Sequence, residues 1–460
     1  MAPDLPERSY GAAFPWARAD QDPSYMSFTG DDLTAAGVSP LAAADHGRPR
    51  GPWSAFARAL GAQVEEIRAD PVLRIYGAGL ALLNVLTVQY WRWSGEQTVM
   101  SRGSEPICWP LVPSCAELRV LTADEVYRLL QLFTLGAVVV AAMFLWRRFV
   151  PAAWAGLFAL NLVKLALVAL DYRLRHNQHY MALWVAAVFL LVPGKRDALR
   201  VLIVLFYFWA GTLKLNWEWI SGAALYRPLW FFTGAGVVVA CAYVVVMELV
   251  VSWGLLAARA WIFWAALAQV ALFHVMSWAI VDFFYPLLMF LLLSIFPLVR
   301  LWPPGDRRGL LQPLWHGRLR PAVYAPAAAF SLLQLTPYAF PGDRTITGEG
   351  RLYALHMFDA RISCEAYAAV RGHDGASRRV DLQLNFMPRI DCDPIVIYNR
   401  ARNLCAGRSR LATDVADLDL RLLARHAKDP TFHDVINVPR FCESGLSYAP
   451  FRHNEWIKSP

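Results

Sequence analysis

The sequence predicts an all-α polytopic integral membrane protein of about nine transmembrane helices, followed by a small extracytoplasmic α+β domain. Three observations predict it. Of 460 residues, 57% are hydrophobic and only 17% charged, where a soluble chain carries about a quarter charged residues. The charge is depleted between roughly residues 70 and 300 and returns in both flanks, the pattern of a membrane core with polar ends. Six of the seven cysteines lie in segments that a nine-span topology puts on one side of the membrane.

Three regions follow: residues 1–70 as a cytoplasmic N-terminal segment, 71–340 as the transmembrane catalytic domain, and 341–460 as an extracytoplasmic, disulfide-stabilised domain. Residues 1–50 show no apolar core behind a basic start, so they do not read as a cleavable signal peptide. Trp53 to Ile67 is amphipathic, either lying on the membrane surface or forming a solvated helix.

Counting about 20 apolar residues per helix, the spans centre on Val72–Tyr90, Val126–Trp146, Val150–Leu170, Tyr180–Val192, Leu199–Leu215, Trp230–Leu249, Trp261–Ser277, Phe283–Val299 and Ala322–Tyr338. The fourth and ninth are short or interrupted by proline. Arg147 and Arg148, then Lys195, Arg196 and Arg200, then Arg300, Arg307, Arg308, Arg318 and Arg320 fall in loops of one side. The positive-inside rule makes that side cytoplasmic. The formal charge of +8 is therefore read as an orientation signal. Nucleic-acid binding is not expected, because no basic stripe with interleaved aromatics appears.

The opposite side holds Cys108, Cys115, Cys364, Cys392, Cys405 and Cys442, with Cys241 inside a span. An even set on an oxidising side suits up to three disulfides, with connectivity open. Zinc is the competing use, and no CxxC pair supports it, so no metal site is expected. After Tyr338, Val380–Phe386 and Pro394–Tyr398 read as strands and Val415–Ala427 as a helix. Thr347-Gly-Glu-Gly350 reads as a tight turn. Phosphate loops, dinucleotide fingerprints and HExxH are absent.

The strongest local signal is Phe206-Tyr-Phe-Trp-Ala-Gly-Thr-Leu-Lys-Leu-Asn-Trp-Glu-Trp-Ile-Ser-Gly222, which runs from an apolar helix into an aromatic, polar loop. It holds Lys214 in a chain with few lysines and many arginines. Lysine, unlike arginine, becomes a base when apolar surroundings remove its proton. The alternative is an interfacial side chain that snorkels to water. Asn177-Gln-His179-Tyr180 and Phe273-His274-Val-Met-Ser277 place two histidines at the same membrane depth, each either an interfacial hydrogen-bonding residue or part of a shared polar cavity. Lys164 and Glu248 also fall within hydrocarbon, where they can pair with each other as a structural ion pair. Trp209, Trp217 and Trp219 read either as interfacial anchors or as walls of an apolar ligand pocket.

These segments resemble the vitamin K-dependent γ-carboxylase family and its bacterial relatives carrying the shared transmembrane domain. The lysine segment is similar to the family's catalytic-lysine segment, Asn177–Tyr180 to its Asn-His-Tyr segment, and Phe273–Ser277 to its Phe-His-x-Met stretch. Pro341-Gly-Asp343, Thr347–Gly350 and His356-Met357 resemble the turn that opens the family's extracytoplasmic region. The likeness covers about residues 70–360.

The resemblance implies a bacterial inner-membrane enzyme with its active site on the extracytoplasmic face. It would couple epoxidation of vitamin K hydroquinone or a related menaquinol by molecular oxygen to addition of carbon dioxide to glutamate. The partners implied are a glutamate-containing secreted protein or peptide, membrane lipid and quinone; nothing points to an oligomeric state. Lys214 would be the base, His179 would hydrogen-bond near the reacting carbanion or carboxylate, and His274 would help shape the quinone site. Asn177, Tyr180, Trp209, Asn216, Trp217 and Trp219 are the residues assigned to cofactor binding. Two positions depart from the family: Leu213 stands where it has a second lysine, and Asn216 where it has aspartate. A maturation or export factor for a secreted bacterial peptide, a passive quinone-binding module and a transporter are the other readings, the last without the paired broken helices it would need.

Overall fold

Helix starts in the bundle are written in short polar signals. Asp70 accepts a hydrogen bond from the Val72 amide, and Pro71 occupies the first turn, so α2 (Pro71–Trp93) begins sharply after α1 (Pro52–Ala69). Thr122 and Glu125 form a reciprocal capping box at the start of α3 (Ala123–Leu145). The computed structural model describes residues 52–459 except 226, 228–231, 282, 303–320, 358–359 and 385–387.

The bundle continues with α4 (Val150–Ala169), α5 (Asn177–Leu191), α6 (Lys195–Leu213), α7 (Ala235–Leu249), α8 (Ala260–Ser277), α9 (Phe284–Leu293), α10 (Ile295–Leu301) and α11 (Pro321–Leu335). Six segments among the described residues are long and apolar enough to cross a membrane: Pro71–Trp93, Ala123–Leu145, Arg147–Ala169, Ala235–Leu256, Ala260–Ser277 and Phe284–Leu301. The chain is thus a helical membrane protein. The remaining three expected spans are helical but do not meet the same measure. α5 and α11 have 15 residues each, α11 with Pro326 inside it, and the first turns of α6 carry Lys195, Arg196, Asp197 and Arg200. The start of the sixth expected span and the arginines between 303 and 320 lie outside the described residues, as do residues 1–51.

α2 is the central helix, with 61% of its apolar window buried against 28–50% for the other five. Its inward face carries Tyr76, Leu80, Leu83, Asn84, Thr87 and Trp91. Large apolar side chains such as Leu132, Leu135, Val239, Leu272 and Leu332 point outward, as surfaces facing lipid do. At one end of the bundle, Glu66 accepts from the Gly194 and Lys195 amides and Asp70 pairs with Arg196, gathering the basic loops.

The other end carries a four-stranded antiparallel sheet, β1 (Ile362–Arg371), β2 (Ser377–Asp381), β3 (Asp417–His426) and β4 (His433–Val438), in the order β2-β1-β3-β4. A helix, α12 (Pro394–Cys405), packs on it. Two local expectations are corrected here. Residues 394–398 open α12 instead of a strand: Asp393 caps the Ile395 amide and Pro394 sits in the first turn, which outweighs the β-branched run Ile395-Val-Ile397. Residues 417–426 form β3 instead of a helix, because Leu418, Leu420, Leu422 and Ala424 alternate into the core. Of the expected strand Val380–Phe386, β2 takes only the first two residues, and residues 385–386 lie outside the described set.

Three disulfides form, Cys108–Cys115, Cys364–Cys392 and Cys405–Cys442, leaving Cys241 free and buried. α12 docks the sheet on the bundle loops. Asn399 exchanges hydrogen bonds with both backbone groups of Cys108, Asn403 donates to the Pro106 carbonyl, and Tyr172 donates to Asp393. Beneath them Asp171 is fully buried between Arg119 and Arg173. The turn at Thr347–Gly350 is tight as expected. Gly350 has φ +71, and a Cβ there would lie 2.7 Å from the Pro337 Cα, so glycine is required.

Candidate functional site

α6 delivers Lys214 to the sheet-side end of the bundle. The helix stops there because Lys214 takes the cap position, its amide bonding back to the Gly211 and Thr212 carbonyls, and Asn216 starts a new one-turn helix by accepting from the Trp219 amide. Lys214 Nζ donates to both oxygens of Glu248 on α7, at 2.9 and 2.7 Å, and to the Ala210 carbonyl at 3.2 Å. Both side chains are almost wholly buried, 1% and 2% exposed. The Trp219 ring lies 5.3 Å from Nζ and is fixed by its indole N–H donating to the Cys241 carbonyl.

This corrects the expected pairing. Glu248 holds Lys214, not Lys164, so the amine at the end of α6 is not solitary. The signal was a single carboxylate in a strongly apolar helix; which lysine it meets depends on where α7 lies against α6. Gly211 sets that. A Cβ on it would stand 2.9 Å from Leu249 Cγ and 3.0 Å from Glu248 Cβ, so the close approach of the two helices needs its bare backbone. Gly211→Ala is expected to destabilise the protein by about 1–3 kcal/mol through overpacking. Thermal unfolding of the purified variant reads this; an unchanged melting point would show that α7 shifts freely.

His274 joins this group. Its Nε2 is 2.6 Å from the Tyr207 hydroxyl, and its ring lies 5.8 Å from those of Tyr207 and Tyr285. Lys214 acts on it electrostatically, and Glu248 on both tyrosines. Tyr207 and Tyr285 were not singled out from sequence, although Tyr207 lies in the same segment as Lys214, two helical turns earlier.

His179 is brought to a different place. Its Nε2 accepts from the Trp91 indole N–H at 2.9 Å, and Tyr90, Trp91, His176 and Phe284 ring it. The titratable groups that act on it electrostatically are Lys164 and His176. His176 Nε2 lies 2.9 Å from Glu96 Oε1, within ion-pair distance but off the line of a hydrogen bond. The single polar cavity expected from three spans is therefore two clusters.

Other expected residues serve the fold. Asn177 bonds both backbone groups of His356, and Tyr180 donates to the Tyr353 carbonyl at 2.6 Å while accepting from Gln334. These atoms are occupied by stitching residues 353–356 onto the bundle. Trp209 points to α11, donating to Ser331, and away from Glu248. Trp217 is exposed, with Lys428 Nζ 5.6 Å from its ring.

Asn216, Trp217 and Glu218 line one wall of an open cleft of about 530 Å³; Asp343, Arg344, Thr345, His426 and Asp429 line the rest. His426 Nε2 donates to Asp343 at 2.7 Å, and Thr345 bonds the same carboxylate. The hydrogen bond that His426 donates to Asp343 raises the pKa of His426. Burial alone would raise that of Asp343, but the bonds from His426 and Thr345 outweigh it and hold it well below the carboxylate range.

The sign of the pH dependence follows. A raised histidine stabilises fully below its unfolded value, about 6.5, and loses this as pH rises through the folded value. The depressed aspartate stabilises above about 3.9 and loses this as pH falls. His426→Gln is therefore expected to lower the melting temperature most between about pH 4 and 6.5, and least in alkali. A deficit that grows with alkalinity would contradict the pairing.

No group of three or more possible metal ligands occurs among the described residues. Comparison with protein-family models, with curated proteins and with solved structures finds no match. Fold and site define a polytopic helical membrane protein with a disulfide-bonded sheet region and a buried Lys–Glu couple.

Proposed function

We propose that this chain is a γ-carboxylase-like enzyme of a bacterial inner membrane, taking a reduced quinone from the bilayer, with molecular oxygen and carbon dioxide as co-substrates, and acting on glutamate of a secreted or membrane protein. The observation that carries the reading is Lys214 held by both oxygens of Glu248 in an aromatic, water-poor site at a helix end. Intramembrane ionisable groups are expensive, and their retention points to function. Tyr207, Trp219 and Tyr285 around the couple suit the flat ring of a hydroquinone.

A hydroquinone supplies, on oxygenation, the strong base that carboxylation needs. The chain's own part is to take a proton. Written as neutral amine and carboxylic acid, the couple accepts one proton at Lys214 Nζ and becomes an ammonium beside the protonated Glu248. Written as an ion pair, Lys214 first passes its proton to Glu248 and the freed amine then takes the new one, which gives the same net change. Tyr207 and His274 hold a polar edge next to that amine. Asn177 and Tyr180 have no part in the step, because their polar atoms are bound to backbone.

The orientation in this reading puts the sheet and the three disulfides outside, where thiols oxidise, and Arg147, Arg148, Lys195, Arg196 and Arg300 inside. The cleft beside Asn216 and Trp217 then opens to the compartment where a secreted substrate is found. Quinone epoxide formation by the purified, reconstituted protein tests the base. Lys214→Ala and Lys214→Arg should both abolish it, since arginine does not release its proton. Activity retained in Lys214→Arg would leave only a role for charge and remove the base.

A further inference from the structure

The second cluster differs from the first in one respect: its lysine has no carboxylate. Lys164, five residues before the end of α4, is fully enclosed, and Nζ donates to Thr87 Oγ1 on α2 at 3.0 Å. The Thr87 hydroxyl itself donates to the Leu83 carbonyl, so its oxygen receives the Lys164 proton. No Asp or Glu comes within ion-pair distance of Lys164 among the described residues. A bare ammonium buried within a span costs several kcal/mol, and an amine without its extra proton avoids that cost.

His179 meets the same face of α2 one turn further on, at Trp91, four residues after the Thr87 that holds Lys164. The Trp91 indole can only donate, so His179 Nε2 must be the unprotonated nitrogen and its proton lies on Nδ1. That Nδ1 is buried and has no acceptor among the described residues, and Asn84 Oδ1, one turn before Thr87, has no donor. Asn84 Oδ1 and His179 Nδ1 thus leave one acceptor and one donor unsatisfied, on the central helix and its neighbour α5, with the carboxylate-free Lys164 amine on the next helix.

We propose that Lys164 and His179 form a second acid–base site in the middle of the bundle, built to receive a lipid-soluble weak acid. The acidic O–H gives its proton to Lys164 Nζ. The oxyanion left behind accepts hydrogen bonds from the new ammonium and from His179 Nδ1–H, so charge stays balanced inside the bundle. The site does not rest on the quinol reading, which concerns Lys214 and Glu248.

The chain's few lysines make the test tractable. The full-length protein is labelled with ¹⁵N-lysine and ¹⁵N-histidine in lipid nanodiscs. The Lys164 resonance is assigned by its loss in Lys164→Met, or in Lys164→Arg if the first variant does not fold. Near neutral pH, Lys164 Nζ is expected in the neutral-amine range. Octanoic acid, the probe, should move it to the ammonium range and shift His179 Nδ1 in the same titration. An ammonium at Lys164 without the probe would overturn the proposal. So would a neutral amine that octanoic acid leaves unmoved.

Discussion

Glu248→Leu is expected to destabilise the protein by about 3–5 kcal/mol, and Lys214→Met by a similar amount, because each leaves one buried charge alone. The double variant should recover most of the loss. The reason is the geometry: Nζ is held by two carboxylate oxygens and one carbonyl, with both side chains almost fully enclosed. Two apolar side chains of similar volume satisfy that space without either charge, which often matches or exceeds the stability of the ion pair. Unfolding in mixed micelles, followed for the four proteins of this cycle, gives the coupling directly. Additive single losses would mean that the two groups are solvated independently. Stability recovered by the double variant without recovered epoxidation would place the couple in chemistry and not in folding.

The second large effect concerns the sheet region. Cys364–Cys392 and Cys405–Cys442 close loops of 28 and 37 residues, and loop-closure entropy for such lengths stabilises by about 3–4 kcal/mol each. Both bonds border the sheet core that includes Ala366, Leu420, Leu422 and Ile436, so each ties the strands and α12 to that core. Paired serine substitutions at either bond should loosen the sheet and expose residues 405–442 to protease, while α2 and α3 stay protected. Breaking Cys108–Cys115, separated by seven residues, should cost less, about 2–3 kcal/mol on the same relation. Equal effects at all three would argue against the entropic account.

Much of this architecture was legible because it depends on composition over long windows. Runs such as Val126–Trp146 announce helices that lipid can surround, and the grouping of six cysteines anticipates the three disulfides. What failed was local or relational. The stretch Val415–Ala427 is rich in Leu, Ala and Arg, good helix formers, so the two-residue alternation at Leu418, Leu420 and Leu422 was read as helix. The β-branched run after Asp393-Pro394 suggested a strand, yet the cap and proline decide the start of α12. The partner of Glu248 was beyond the sequence, because both lysines lie on apolar helices and only the tight packing at Gly211 selects Lys214. For the same reason His179 was grouped by depth with Lys214. Depth is one coordinate, and position around the bundle, which puts His179 against Trp91 and one helical turn from the Thr87 that holds Lys164, is another.

The central claim is that a quinone meets the Lys214–Glu248 couple inside the bundle. A menaquinone carrying a photoreactive diazirine, incorporated with the full-length protein in nanodiscs and mapped by peptide mass spectrometry, tests it most directly. Adducts should fall on Tyr207, Trp219, Glu248 or Tyr285 and be competed by unmodified menaquinone. Adducts confined to lipid-facing positions such as Val239 and Leu272, indifferent to competitor, would contradict the account.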